Sequence, residues 1–135
     1  MDEKANILVV DDEAVVRLSH SRILTGVHYN VRSACNGIEA LSEMNKQSYD
    51  LVLLDLRMPG MDGLETLKVI KQRWPAAEVL IVTGYASAET AKQAIKLGAY
   101  DYLAKPVPPD EVIKVASAAV MQKKWTLQRE PMAAN

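Results

Sequence analysis

Short apolar runs alternate along the chain with stretches of helical periodicity. Ile7-Leu8-Val9-Val10, Leu51-Val52-Leu53-Leu54 and Val79-Leu80-Ile81-Val82 are unbroken and rich in branched side chains. Successive residues of a strand face opposite ways, so an unbroken run predicts burial on both faces, as in a parallel sheet covered by helices. Two weaker strands fit Tyr29 to Ala34 and Tyr100 to Ala104. Between the runs lie helical stripes: Val16, Ile23 and Leu24; Ile38, Leu41 and Met44; Leu64, Leu67 and Ile70; Ala88, Ala91 and Ile95; Val112, Ala116, Ala119 and Val120. Turn signals at Asn36-Gly37, Pro59-Gly60, Asp62-Gly63, Trp74-Pro75 and Leu97-Gly98 separate them. Five strands alternating with five helices predict a doubly wound α/β domain with right-handed crossovers. The last helix, starting near Pro109-Asp110, is long enough to reach Arg129. Residues 1–130 therefore form one expected domain, and 131–135 read as a flexible tail or truncated linker.

Composition narrows the function classes. The chain has 135 residues, the size of one domain, with 16 Lys and Arg against 17 Asp and Glu, a net charge of −1. That balance removes the electrostatic case for direct nucleic-acid binding and for a polybasic membrane contact. One cysteine, Cys35, forms neither an internal disulfide nor a thiolate metal cage. The polar start and the lack of a long apolar run give no signal peptide and no membrane span, so a cytoplasmic protein is expected. With no Phe, the core must be aliphatic.

In an open parallel sheet, ligands sit beyond the carboxyl ends of the strands. The polar residues that end the runs should therefore meet: Asp11 and Asp12, Asp55, Thr83 and Lys105. Three carboxylates on one rim repel unless a cation sits among them. An all-oxygen donor set without His or Cys points to a hard divalent ion, Mg²⁺ or Mn²⁺. Lys105 and the Thr83 hydroxyl suit an anionic group beside the metal. These are the parts that phosphoryl transfer to a carboxylate needs.

Over roughly residues 5–122 the chain resembles a response-regulator receiver domain of two-component signalling, in the CheY-like superfamily. The motifs that carry the resemblance are Asp11-Asp12, the segment Leu53 to Gly63 around Asp55, Thr83-Gly84, and Tyr102-Leu103-Ala104-Lys105-Pro106. It implies a flavodoxin-like sheet of order 2-1-3-4-5. Asp55 would be the phosphoacceptor, attacking a phosphohistidine donor on a sensor histidine kinase or phosphotransfer protein. Asp12, Asp55 and the backbone carbonyl of Arg57 would ligate Mg²⁺, with Asp11 acting through a metal-bound water. Lys105, the Thr83 hydroxyl and the Gly84 N–H would hold phosphoryl oxygens, and a cis peptide would precede Pro106. Thr83 and Tyr102 would form a switch remodelling the face of helix four, strand five and helix five, through which the domain could also form a homodimer. Such a domain is a signalling phosphoacceptor that catalyses its own phosphorylation and dephosphorylation, not a turnover enzyme. Its nearest likeness is to receivers of transcriptional regulators, including those with an ATPase module.

Blander readings stand beside several of these. Asp11-Asp12 alone is equally a helix start, and Tyr102 a half-buried strand tyrosine. His20 reads as a core-edge residue with a satisfied hydrogen bond, Cys35 as packing near the second strand, and the methionines as filler. Trp125 and Leu127, beyond the core, read either as a hydrophobic cap or as an interaction surface. Arg57 and Tyr85 should border the path of water to the phosphoryl group, so they are expected to tune dephosphorylation towards a long-lived aspartyl phosphate.

Three rivals each fail on a local feature of the chain. A phosphatase of the haloacid dehalogenase type needs an acid two residues after its nucleophile, where Arg57 stands. A flavin carrier needs a Ser/Thr-rich phosphate loop where Asp11-Asp12-Glu13 would repel phosphate. A P-loop nucleotidase needs the Gly-rich Lys-Ser/Thr run that the chain lacks. The remaining alternative is a docking adaptor of the same fold that works independently of phosphorylation.

Overall fold

The computed structural model describes residues 4–133, with side chains described through Lys124. Strands β1 (Asn6–Val10), β2 (Asn30–Ala34), β3 (Leu51–Leu54), β4 (Glu78–Thr83) and β5 (Asp101–Ala104) alternate with helices α1 (Ala14–Gly26), α2 (Gly37–Lys46), α3 (Gly63–Arg73), α4 (Ala88–Lys96) and α5 (Pro109–Ala133). All strand pairs are parallel, in the order β2-β1-β3-β4-β5. The expected fold is therefore the observed one.

The unbroken runs are buried on both faces. Leu8, Val10, Val52, Leu54, Val79 and Ile81 point to one side, against Ala40 and Met44 of α2, Leu67 and Ile70 of α3 and Ala94 of α4. Ile7, Val9, Leu51, Leu53, Leu80 and Val82 point to the other, against Leu24 of α1 and Val112, Ala116, Ala119 and Val120 of α5. Register brings the strand ends level: Val10 pairs with Leu54 and Ala34, and Leu54 with Ile81. The residues just past these ends, Asp11 and Asp55, consequently emerge side by side.

Three helical stripes differ from the expectation. In α1 the fully covered positions are His20 and Leu24, with Val16 and Ile23 half-buried. In α2, Ile38 is 66% exposed, while Gly37, Ala40 and Met44 face the core. A Cβ on Gly37 would lie 2.3 Å from Thr66 Oγ1, so α2 and α3 approach too closely for a larger residue there. In α4 only Ala94 is buried and Ile95 is half-exposed. Close packing favours the small residue, whereas a stripe drawn through large ones misses it.

The final helix is assigned to Ala133, past the expected end at Arg129; the expected tail at 131–135 is helical through Ala133, and its remainder lies outside the described residues. The side chains of Trp125 and Leu127 also lie outside the described ones. His20 is buried; burial first, then the charge of Lys105, holds its pKa below the ordinary value. Cys35 follows β2 half-buried, its Sγ 3.4 Å from Glu39 Oε2. Among the described residues no helix is long and apolar enough to cross a membrane.

Candidate functional site

The three carboxylates are placed by the sheet. The Asp11 N–H donates to Ala34 O at 3.2 Å and the Asp55 N–H to Val10 O at 3.1 Å, so each continues its strand's ladder by one residue. Both residues are 3% exposed, while Asp12 opens to solvent. Ligand oxygens of Asp11, Asp12 and Asp55 all lie within 4.8 Å of one another. From β5, the Lys105 N–H donates to Thr83 O at 2.9 Å, and Lys105 Nζ reaches Asp11 Oδ2 at 2.6 Å and Asp55 Oδ2 at 3.1 Å. Glu13 Oε1 stands 3.9 Å from the same ammonium.

The electrostatics follow from that geometry. Burial pushes the Asp11 carboxyl above the ordinary carboxylate range, a rise that the Lys105 hydrogen bond and the Glu13 N–H only partly offset. Burial would lower Lys105, but its bond to Asp11 and the charges of Asp55 and Asp11 outweigh it and hold the ammonium above its ordinary value. Asp11, Asp12 and Asp55, with Glu13 at the edge, outnumber the one ammonium among them and leave a negative remainder at the rim. A divalent cation with oxygen preference matches both that remainder and the donor set, so the residues fit Mg²⁺.

Above the carboxylates opens a cleft of about 660 Å³, bordered by Asp12, Asp55, Arg57, Gly84, Tyr85 and Lys105 among others. The Arg57 N–H faces Asp55 Oδ1 at 3.4 Å, and the Arg57 guanidinium lies 4.2 Å from the centroid of the Tyr85 ring. Thr83 is fully buried, its Oγ1 accepting the Tyr85 N–H at 3.1 Å. At Gly84 a Cβ would meet only Lys105 Cδ, at 4.0 Å. The Lys105–Pro106 peptide is cis.

The structure thus gathers Asp11, Asp12, Asp55, Arg57, Thr83, Gly84, Tyr85 and Lys105 at one rim. Tyr102 is not at this cleft. Its hydroxyl meets Thr90 Oγ1 at 2.6 Å and accepts the Ser87 N–H at 3.2 Å, at the start of α4. The two readings of Asp11 also prove compatible: Oδ1 accepts the Glu13 N–H at 3.0 Å as a helix start, while Oδ2 meets Lys105.

Sequence reasoning overlooked Arg17, whose Nη1 donates to Asp11 O at 2.8 Å. A signal existed. Arg17 shares a helical face with His20 and Leu24, and a charge on the core-facing side of a helix asks for a polar partner. Ser87 and Thr90 were also missed; their partner lies on a different element, and nothing local announces it.

A family model for the response regulator receiver domain matches residues 7–117. Over 122 residues the chain is 46% identical to the transcriptional regulatory protein ZraR of Klebsiella oxytoca, covering 87% of this chain and 27% of that protein. It is 38% identical over 118 residues to the DNA-binding transcriptional regulator NtrC of Escherichia coli K12, covering 87% of this chain and 25% of that one. The chain therefore spans about a quarter of the length of these curated relatives. Among solved structures, NtrX from Brucella abortus matches with a TM-score of 0.91 at 35% identity, covering 97% of this chain and 30% of NtrX. A CheY-like receiver domain protein from Methanospirillum hungatei JF-1 matches with a TM-score of 0.89 at 29% identity, covering 92% and 99%. With the acidic rim and the sheet order already in place, these matches show that the chain belongs to the response-regulator receiver domain family of two-component signalling.

Proposed function

We propose that Asp55 accepts a phosphoryl group from a phosphohistidine on a sensor histidine kinase or phosphotransfer protein, and that the modified domain switches a downstream output. The observation that carries this is the setting of Asp55: a buried carboxylate paired with Lys105 at 3.1 Å, at the base of an open polar cleft. In the reaction a carboxylate oxygen of Asp55 bonds to phosphorus, the P–N bond breaks, and the departing imidazole keeps the electron pair and takes up a proton.

Asp12, Asp55 and the carbonyl of Arg57 would hold Mg²⁺ (or Mn²⁺), with Asp11 assisting through water. When bound, the ion supplies charge neutralisation for the phosphoryl oxygens. Lys105 neutralises a further oxygen and keeps it in place. Thr83 accepts from Tyr85 N–H in the resting chain, an arrangement that leaves its hydroxyl proton to donate to a phosphoryl oxygen, with the Gly84 N–H beside it. Movement of Thr83 would draw Tyr102 away from Thr90 and Ser87, releasing the start of α4. That is a population shift between two packings, driven by the charge gained at Asp55.

The domain acts as a phosphoacceptor and not as a turnover enzyme. By likeness to ZraR and NtrC the output is transcriptional, with DNA contacted by a module other than this domain. The half-exposed Ile95 on α4 supports a homodimer through the face of α4, β5 and α5.

Intact mass after incubation with a small acyl phosphate, with and without Mg²⁺, tests the proposal on wild type and Asp55→Asn. A gain of about 80 Da that requires Mg²⁺ and vanishes in the variant is the expected result. No gain in the wild type would overturn phosphoacceptor function.

A further inference from the structure

Asp11 is held at four points. Its N–H donates to Ala34 O, its Oδ1 accepts from Glu13 N–H, its Oδ2 accepts from Lys105, and its carbonyl accepts Nη1 of Arg17 at 2.8 Å. The first three account for the strand end, the turn into α1 and the charge pairing. The fourth comes from within α1, whose guanidinium reaches back over the helix start to the peptide joining Asp11 to Asp12.

That peptide is what aims Asp12. The Asp12 side chain is exposed and hydrogen-bonds to no side chain or backbone group among the described residues, so its direction follows from its backbone. The Asp11 carbonyl and the Asp12 N–H share one rigid plane, and holding the carbonyl orients both. Glu13, the N-cap of α1, contributes no side-chain cap, which leaves Arg17 as the helix's own tie to this peptide among the described residues.

We infer that Arg17 is a positioning residue for divalent-cation binding, orienting the Asp11–Asp12 peptide so that the Asp12 carboxylate faces Asp11 and Asp55. The inference rests on the reading of these three carboxylates as a cation site. Electrostatics alone has the opposite sign: a guanidinium near three carboxylates repels a divalent cation, so its removal would tighten binding. Positioning requires that removal loosen it, as outer-sphere partners of metal ligands do.

Calorimetric titration with MgCl₂ at fixed ionic strength decides between them, on wild type, Arg17→Ala, Arg17→Lys, Asp12→Asn and the Arg17→Ala/Asp12→Asn double variant, with circular dichroism melts as the fold check. Arg17→Ala is expected to weaken Mg²⁺ binding about tenfold. Arg17→Lys should fall between wild type and Arg17→Ala, because a shorter donor retains part of the bond. In the Asp12→Asn background, Arg17→Ala should cause little further loss. Unchanged or tighter binding in Arg17→Ala overturns the inference, as does an undiminished further loss in the Asp12→Asn background. If Arg17→Ala does not fold, wild-type affinity in a folded Arg17→Lys overturns it instead. A wild type that binds no Mg²⁺ removes the cation-site reading itself, a result distinct from a wild type that binds normally beside an unaffected Arg17→Ala.

Discussion

The Arg57 guanidinium stacks on the Tyr85 ring, 4.2 Å from its centroid, at the edge of the cleft above Asp55. The two residues come from the loops after β3 and β4, so the pair ties together the segments that would flank a phosphoryl group on either side. At an exposed site such a contact contributes about 0.5–1 kcal/mol.

If the pair restricts water, Arg57→Ala and Tyr85→Ala should each speed the decay of the Asp55 phosphate several-fold. Loss of one partner already breaks the stack, so the double variant should gain less than the product of the two singles. A mass-spectrometric time course of the phosphorylated chain measures this. Decay in the double variant at the wild-type rate would show that the stack does not shield the phosphate.

Gly63 begins α3 against the loop that carries Asp55. A Cβ there would lie 2.4 Å from Leu56 Cα and 2.6 Å from Asp55 O, both backbone atoms that cannot rotate away. Gly63→Ala should therefore destabilise by about 1–3 kcal/mol, the usual range for overpacking. Urea unfolding should show a lower midpoint at unchanged slope. Gly84→Ala, with ordinary contact distance to Lys105, is the control and should leave the midpoint nearly unchanged.

His20 makes stability depend on pH. Burial and the nearby Lys105 lower its folded pKa, so the unfolded chain takes up the proton first as pH falls. The stability conferred by a neutral His20 is thus fully present above the unfolded pKa of about 6.5 and is lost as pH drops through that value towards the lowered folded one. Urea midpoints between pH 5 and 8 should fall with acid in the wild type. In His20→Gln the slope should be shallower, and equal slopes would show that His20 does not contribute.

The Tyr102 hydroxyl is engaged by Thr90 and by the Ser87 N–H, and Ser87 Oγ in turn accepts the Thr90 N–H at the N-cap of α4. Thr90→Val removes the 2.6 Å partner while keeping side-chain shape. The Tyr102 ring should then sample its alternative position without phosphorylation, and the first turn of α4 should exchange its amide hydrogens faster. Nuclear magnetic resonance on Thr90→Val reads both; ring shifts and exchange rates identical to wild type would separate Tyr102 from α4.

Strand positions and rim chemistry were legible in the chain because each depends on local chemistry, whereas the order of the strands in the sheet came from the likeness to receivers. Leu51 to Leu54 is apolar at every position, which only a strand covered on both faces requires, and Asp55 ends it where the sheet opens to solvent. The same logic placed Asp11 at the end of β1 and Lys105 at the end of β5, and the likeness to receivers supplied their expected roles. Helix faces were less legible. Ile38 and Ile95 drew the stripes towards themselves, yet Gly37, Ala40 and Ala94 are the residues against the core, because interhelix distance sets which size fits.

What the sequence by itself determined, then, is which residues stand at the strand ends, since hydrophobic run lengths set where each strand stops. Only the tertiary structure decided which groups hold them: Arg17 on the Asp11 carbonyl, Arg57 on Tyr85, and Tyr102 on Thr90 rather than at the cleft. A side chain reaching from one element to another depends on distances between elements, and those distances come from how the core packs, which no local pattern along the chain encodes.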